Sequence, residues 1–144
     1  MKCGESNCSE LRSIFVRHEI KYSRQREEIY HTLLNSNAPL TAEEIFLKIK
    51  KAEININLST VYRVLEVFEA KDLVSKSIFF DEGKATFELK KNEHHHYLLC
   101  TKCKKMMLIE GCPLEGYEQT LAANTGFEIV GHRLEISGIC PECK

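Results

Sequence analysis

The sequence predicts an α+β fold: an N-terminal winged helix-turn-helix followed by a small domain built on a four-cysteine zinc site. Three observations predict it. Between Lys21 and Leu89, three stretches of helical period precede two β-prone runs joined by a turn. An apolar, β-prone segment then leads from three consecutive histidines into a Cys-x-x-Cys pair, and a second such pair closes the chain. The division falls at residue 90, so that residues 1–90 form the winged-helix part with an N-terminal helical extension and residues 91–144 the metal-binding part.

At 144 residues the chain suits one ordinary domain or two small ones. Apolar residues make up 43% and charged residues 28%, proportions that support a packed core in water. The formal net charge of -1 excludes a global attraction to polyanions, so nucleic acid would have to be held by a local basic face. No apolar run approaches the roughly 18 residues of a membrane span, and "MKCGESNCSELRS" lacks the apolar stretch of a signal peptide. The expectation is a cytoplasmic protein with no membrane partner. In that reducing compartment, seven cysteines point to metal rather than to disulfides.

Taken in order, Ser23 can cap a helix whose apolar positions include Ile29 and Leu33. In "TAEEIFLKIKK", Thr41 and Glu44 form a capping box ahead of Ile45 and Ile49. The polar connection "AEININ" leads to "LSTVYRVLEVFEAKDLV", where Val61, Val64, Leu65 and Phe68 define one buried face. Tyr62 and Arg63 fall off that face. In "SKSIFFDEGKATFEL", Asp81 to Lys84 turns between two strands.

Helix, turn, helix and hairpin is the plan of a winged helix, whose second motif helix enters the major groove of double-stranded DNA by its N-terminal residues. Ser59, Thr60, Tyr62 and Arg63 would lie there, and Lys21, Arg24 and Arg26 add a basic cluster suited to phosphates. A small helical bundle capped by a hairpin fits the same pattern. Charge does not decide between them, because residues 1–90 carry equal numbers of acidic and basic side chains.

Cys100 and Cys103, with Cys140 and Cys143, make two knuckles whose two-residue gaps let four thiolates reach one tetrahedral Zn²⁺. With all four positions filled the ion is structural, and such a site contributes on the order of 10 kcal/mol to folding. The histidines divide by strand alternation: His94 and His96 point one way and His95 the other. With Glu88 and Glu93 nearby, they suit Zn²⁺, Fe²⁺ or Mn²⁺ held loosely enough to be sensed.

Together, "STVYRVL", "FELKKNEHHHYLLCTKC", "GCPLEGYEQTL" and "TGFEIVGHRLEISGICPEC" closely resemble the ferric uptake regulator family of metal-dependent repressors, from about Leu11 to Cys143. The resemblance implies that residues 91–144 are an α/β dimerisation and metal-binding domain. It implies a homodimer on a palindromic, A·T-rich operator of metal-uptake genes, with Tyr62 and Arg63 on the reading helix and Lys21 reaching the minor groove. The four cysteines match the family's structural zinc site.

A second site is implied at His94, His96, Glu115 and His132. A third, at the hinge, keeps Glu88 and His95. It has Tyr97 in place of a histidine, and "NAPL" where a further histidine is expected; His18, His31, Cys3, Cys8 and Cys112 are the possible substitutes. Because zinc sensors favour a cysteine at the hinge and iron sensors favour histidine and glutamate, zinc is slightly favoured as effector over iron or manganese.

Three rival functions are weighed by motif. A zinc enzyme lacks a His-Glu-x-x-His helix, and the resemblance carries no small organic substrate. A thiol redox module would lack zinc, whereas a filled four-cysteine site leaves Cys3, Cys8 and Cys112 as the reactive thiols. A metal-storage protein would not recognise a palindrome.

Overall fold

The computed structural model describes residues 5–78, 83–91 and 95–144, with side chains from Ser9 onward. The chain divides into two compact units, Met1–Lys90 and Lys91–Lys144.

The first unit opens with α1 (Glu5–Arg17), which buries Leu11 and Phe15, one helical turn apart. Ser23, in extended conformation, accepts the Arg26 amide at 3.2 Å and so starts α2 (Arg24–Leu34). The strand β1 (Leu40–Thr41) runs directly into α3 (Ala42–Lys51). There Thr41 Oγ1 accepts the Glu44 amide at 3.2 Å, and the Thr41 amide donates to Glu44 Oε2 at 2.7 Å, a complete capping box. Asn57 caps α4 (Leu58–Ala70), its Oδ1 accepting from the Thr60 amide and from the hydroxyls of Ser59 and Thr60.

Val61, Val64, Leu65 and Phe68 are the buried residues of α4. They meet Phe15, Ile29 and Ile45 in one core, with the Phe15 ring 5.8 Å from Phe68 and edge-on to Tyr30 at 5.9 Å. Each such side chain contributes about 1.5–3 kcal/mol on leaving water. Behind the helices, β2 (Val74–Ile78) and β3 (Ala85–Leu89) pair antiparallel, and β1 adds to the far edge of β3, in the order β1-β3-β2. This is a helix-turn-helix with a wing. Asp81 and Glu82 of the expected turn lie outside the described residues; Gly83 takes the left-handed φ of 65° that favours glycine. Periodicity does not disclose β1, since two residues carry no alternation.

The second unit contains β4 (His96–Cys100), β5 (Met106–Ile109), α5 (Glu115–Thr125), β6 (Glu135–Gly138) and a closing 3₁₀ turn, Pro141–Cys143. Its sheet is ordered β5-β4-β6, with β4 antiparallel to β5 and parallel to β6. Parallel strands need a long crossover, and the segment carrying α5 supplies it. Gly126 ends α5 at φ 73°, its N–H bonded to the Ala122 carbonyl at 2.9 Å. α5 has no buried residue, and Phe127 and Val130 beyond it are 75% and 95% exposed.

Candidate metal centres and DNA-facing helix

The pairing of the second sheet assembles two sites at its opposite ends. Because β4 and β6 run parallel, with Cys100 opposite Gly138, the knuckle after β4 and the knuckle after β6 emerge together. Because β5 runs back along β4, with Ile109 opposite His96, the chain beyond β5 returns to the end where β4 begins and where residues preceding β6 also lie. Four residues of strand, about 13 Å, separate the two ends.

At the first end, Cys100, Cys103, Cys140 and Cys143 bring their sulfurs within 4.8 Å of one another. Cys103 Sγ lies 3.7 Å from Cys140 Sγ. Four sulfurs about 2.3 Å from one tetrahedral Zn²⁺ stand about 3.8 Å apart, so the cage already fits the ion. The knuckle is tied by backbone: the Lys104 amide donates to the Cys100 carbonyl and the Cys100 amide to the Lys105 carbonyl, both at 2.9 Å. Lys104 turns the chain at φ 65°.

The backbone amides of Cys103 and Cys140 lower the Cys100 thiol to about 6, the latter from 3.3 Å. Hydrogen bonds from its neighbours Cys140 and Cys103 push Cys143 up to about 12, and burial raises Cys140. The thiolate of Cys100 thus forms readily, whereas those of Cys140 and Cys143 call for a compensating cation, which is the chemistry of a metal cage.

At the second end, His96 Nε2 and His132 Nε2 lie 2.8 Å apart, and Cys112 Sγ lies 3.3 Å from the same His132 nitrogen. His96 is buried, while His132 and Cys112 are half-buried. Glu118 Oε1 stands 2.7 Å from His132 Nδ1, where it accepts the ring N–H and turns a lone pair on Nε2 toward the cluster. The rings of His96 and His132 are 4.8 Å apart, and His95, next in the chain, instead meets Tyr97 edge-on at 6.4 Å. Neighbouring histidines on a strand serve opposite faces.

Of the four residues expected at this site, the fold therefore joins His96 and His132. His94 and Glu93 lie outside the described residues. Glu115 is exposed on the first turn of α5 and does not belong to the cluster; the carboxylate on His132 belongs to Glu118, three residues on along the same helix face. Sequence reasoning placed Cys112 only among possible hinge ligands and missed Glu118. The signal for Cys112 was the tight knuckle, which fixes the register of β5 and returns the chain to His96.

Glu88 sits on β3 of the first unit and His95 just ahead of β4 in the second. Two of the proposed hinge substitutes have local partners: His18 Nδ1 donates to the Lys71 carbonyl at 2.8 Å, and His31 lies 4.0 Å from Glu27 on its own helix. Cys3 and the side chain of Cys8 lie outside the described residues.

On the first unit, Tyr62 and Arg63 are exposed on the first turns of α4, as are Lys21 ahead of α2 and Arg24 at its start. Arg26 is half-buried and donates to the Lys21 carbonyl at 2.6 Å, fixing the approach to α2. Ser59 and Thr60 have their hydroxyls turned into the Asn57 cap. Tyr62 donates its hydroxyl to Glu43 Oε1 at 3.0 Å, a bond that raises its pKa. The exposed pair Tyr62 and Arg63 is the part of the helix free of the cap.

The pattern described as "Ferric uptake regulator family" matches residues 17–137. The ferric uptake regulation protein of Campylobacter jejuni is 33% identical over 126 residues, spanning 86% of this chain and 80% of that protein. The structure of the Helicobacter pylori ferric uptake regulator, which reveals three functional metal binding sites there, superposes with a TM-score of 0.78 at 27% identity, covering 96% of this chain and 92% of that one. A zinc-bound manganese uptake regulator gives a TM-score of 0.75 at 27% identity, covering 90% and 98%. A family match over residues 17–137, with agreement over most of the length of each relative, places this chain in the ferric uptake regulator family.

Proposed function

We propose that this protein is a metal-dependent transcriptional repressor. It binds a palindromic, A·T-rich operator as a homodimer and controls metal-uptake genes, with zinc favoured over iron or manganese as effector. One observation carries the reading: a helix-turn-helix exposing Tyr62 and Arg63 shares its chain with a unit that gathers two separate sets of metal-ligating side chains. A regulator of gene expression that answers to metal needs both parts.

The roles follow from donor chemistry. Cys100, Cys103, Cys140 and Cys143 would hold a structural zinc, since four thiolates leave it no open position. His96 and His132 would hold an exchangeable ion, being nitrogen donors on a half-buried site. Glu88, His95 and His94 remain proposed contributors through the resemblance, which also names Glu115. The homodimer is supported by the second unit, whose α5 has no buried residue and whose Met107, Tyr117, Phe127 and Val130 are exposed; a second copy would cover such a surface. With acidic and basic residues equal in 1–90, one winged helix holds DNA weakly, and affinity depends on two engaging together.

Regulation is then a population shift. An effector ion must bind the DNA-competent arrangement more tightly than the alternatives, by about 5.5 kcal/mol to reverse a 1:99 population. The test is operator binding by the full-length protein, its four-cysteine zinc retained, with Zn²⁺, Fe²⁺ and Mn²⁺ added in turn. Binding should appear at the lowest free concentration with zinc. Equal binding with no added ion would overturn the metal switch.

A further inference from the structure

We propose that Cys112 is a ligand of the exchangeable ion, so that the centre at the start of β4 is a thiolate site of His96, His132 and Cys112, not a nitrogen-and-oxygen site completed by Glu115. The inference rests on reading that centre as the regulatory one.

Three independent segments deliver these side chains: the first residue of β4, the loop after β5, and the segment before β6. Their donor atoms all lie within 4.8 Å of one another. Tetrahedral Zn²⁺, with bonds of about 2.0–2.1 Å to nitrogen and 2.3 Å to sulfur, holds two nitrogens about 3.3 Å apart and a nitrogen and a sulfur about 3.6 Å apart. The separations here are 2.8 Å between the imidazole nitrogens and 3.3 Å from Cys112 Sγ to His132 Nε2. Each need open by only about half an ångström or less to admit the ion.

The shorter contact has its own explanation without metal. Glu118 accepts the Nδ1–H of His132, so His132 Nε2 carries the lone pair and accepts the Nε2–H of His96. On metal binding His96 takes the tautomer that carries its proton on Nδ1, the Cys112 thiol proton leaves to solvent, and the three lone pairs face one point.

Thiolate is the feature that sets the selectivity. A sulfur donor with two imidazoles suits Zn²⁺ or Co²⁺, whereas Mn²⁺ prefers oxygen. Exposed Glu115, outside the cluster, would have supplied that oxygen. Three protein donors leave a tetrahedral ion one position for a further ligand.

The test is a Co²⁺ titration of full-length protein with its four-cysteine zinc in place. One equivalent should produce a near-ultraviolet sulfur-to-cobalt charge-transfer band. Cys112→Ser should abolish the band and weaken Zn²⁺ binding at this centre at least 10-fold, while Glu115→Gln leaves the band intact. No band in the wild-type protein, or a band that survives Cys112→Ser, overturns the assignment. As a check independent of any variant, exchangeable Zn²⁺ should shield Cys112 from iodoacetamide as read by mass spectrometry; alkylation at an unchanged rate overturns it equally. Neither readout involves DNA. A protein that passes both yet binds its operator regardless of metal would refute the regulatory reading alone.

Discussion

Glu118 Oε1 and His132 Nδ1 stand 2.7 Å apart in a half-buried position, and this pair would set how the proposed second metal centre behaves. A carboxylate on the far nitrogen fixes the ring and makes the near nitrogen a better donor. Glu118→Gln keeps an acceptor but removes the charge. Zinc affinity at this centre should fall by about 10–100-fold, measured by competition with a chromophoric chelator, with the four-cysteine zinc unmoved. Unchanged affinity would mean the carboxylate is incidental. At the other unit, Arg63 is exposed and belongs to no part of the core. Arg63→Ala should leave zinc content and thermal unfolding intact while weakening operator binding by about 1–3 kcal/mol, if Arg63 reads a base. Wild-type affinity in a fluorescence-anisotropy titration would move the reading surface elsewhere. The cap residues Ser23, Thr41 and Glu44 were legible because each stands just ahead of an apolar period. Asn57 was not: "ININL" offers Asn55 and Asn57, and nothing local chooses between them.

Among the elements, α4 and β4 carry the two halves of the proposed activity, and both follow from simple periods. The spacing of Val61, Val64, Leu65 and Phe68 prescribed the buried face of α4 and hence the exposed one. Phe68 is fully buried against Phe15, so Phe68→Ala should cost about 3–5 kcal/mol in a urea titration and impair DNA binding only through folding. The strand alternation of β4 separated His95 from His96, while its length set the two metal ends apart. Cys103→Ser removes one of four sulfurs from the cage and should lose both the zinc and the folded second unit, seen as loss of the zinc-dependent unfolding transition. Retained zinc would show that three thiolates suffice. Other elements were illegible for a physical reason. β1 is too short to alternate, and α5 buries none of its side chains within the chain, so no completed apolar stripe marks it. Cys112 gained its partners only through the pairing of β5 with β4, which is a long-range fact.

For the whole molecule, the proposed function divides the metal between a cage that builds and a centre that reports. The sulfur cage closes the knuckles of β4 and β6, so removing its ion should unfold the platform on which a dimer would form. The histidine centre at the other end of the same sheet should exchange its ion without that loss. Among the described residues, no helix is long and apolar enough to cross a membrane, and the unburied apolar side chains of the second unit are instead suited to another copy of the chain. The measurement that tests this division most directly follows zinc stoichiometry, dimer mass and operator binding together while free zinc is lowered with graded chelators. The account predicts that operator binding disappears as the first zinc leaves, with one zinc per chain and the dimer both retained. Operator binding that persists until the last zinc departs, or two zincs lost in a single step with the dimer, would contradict it.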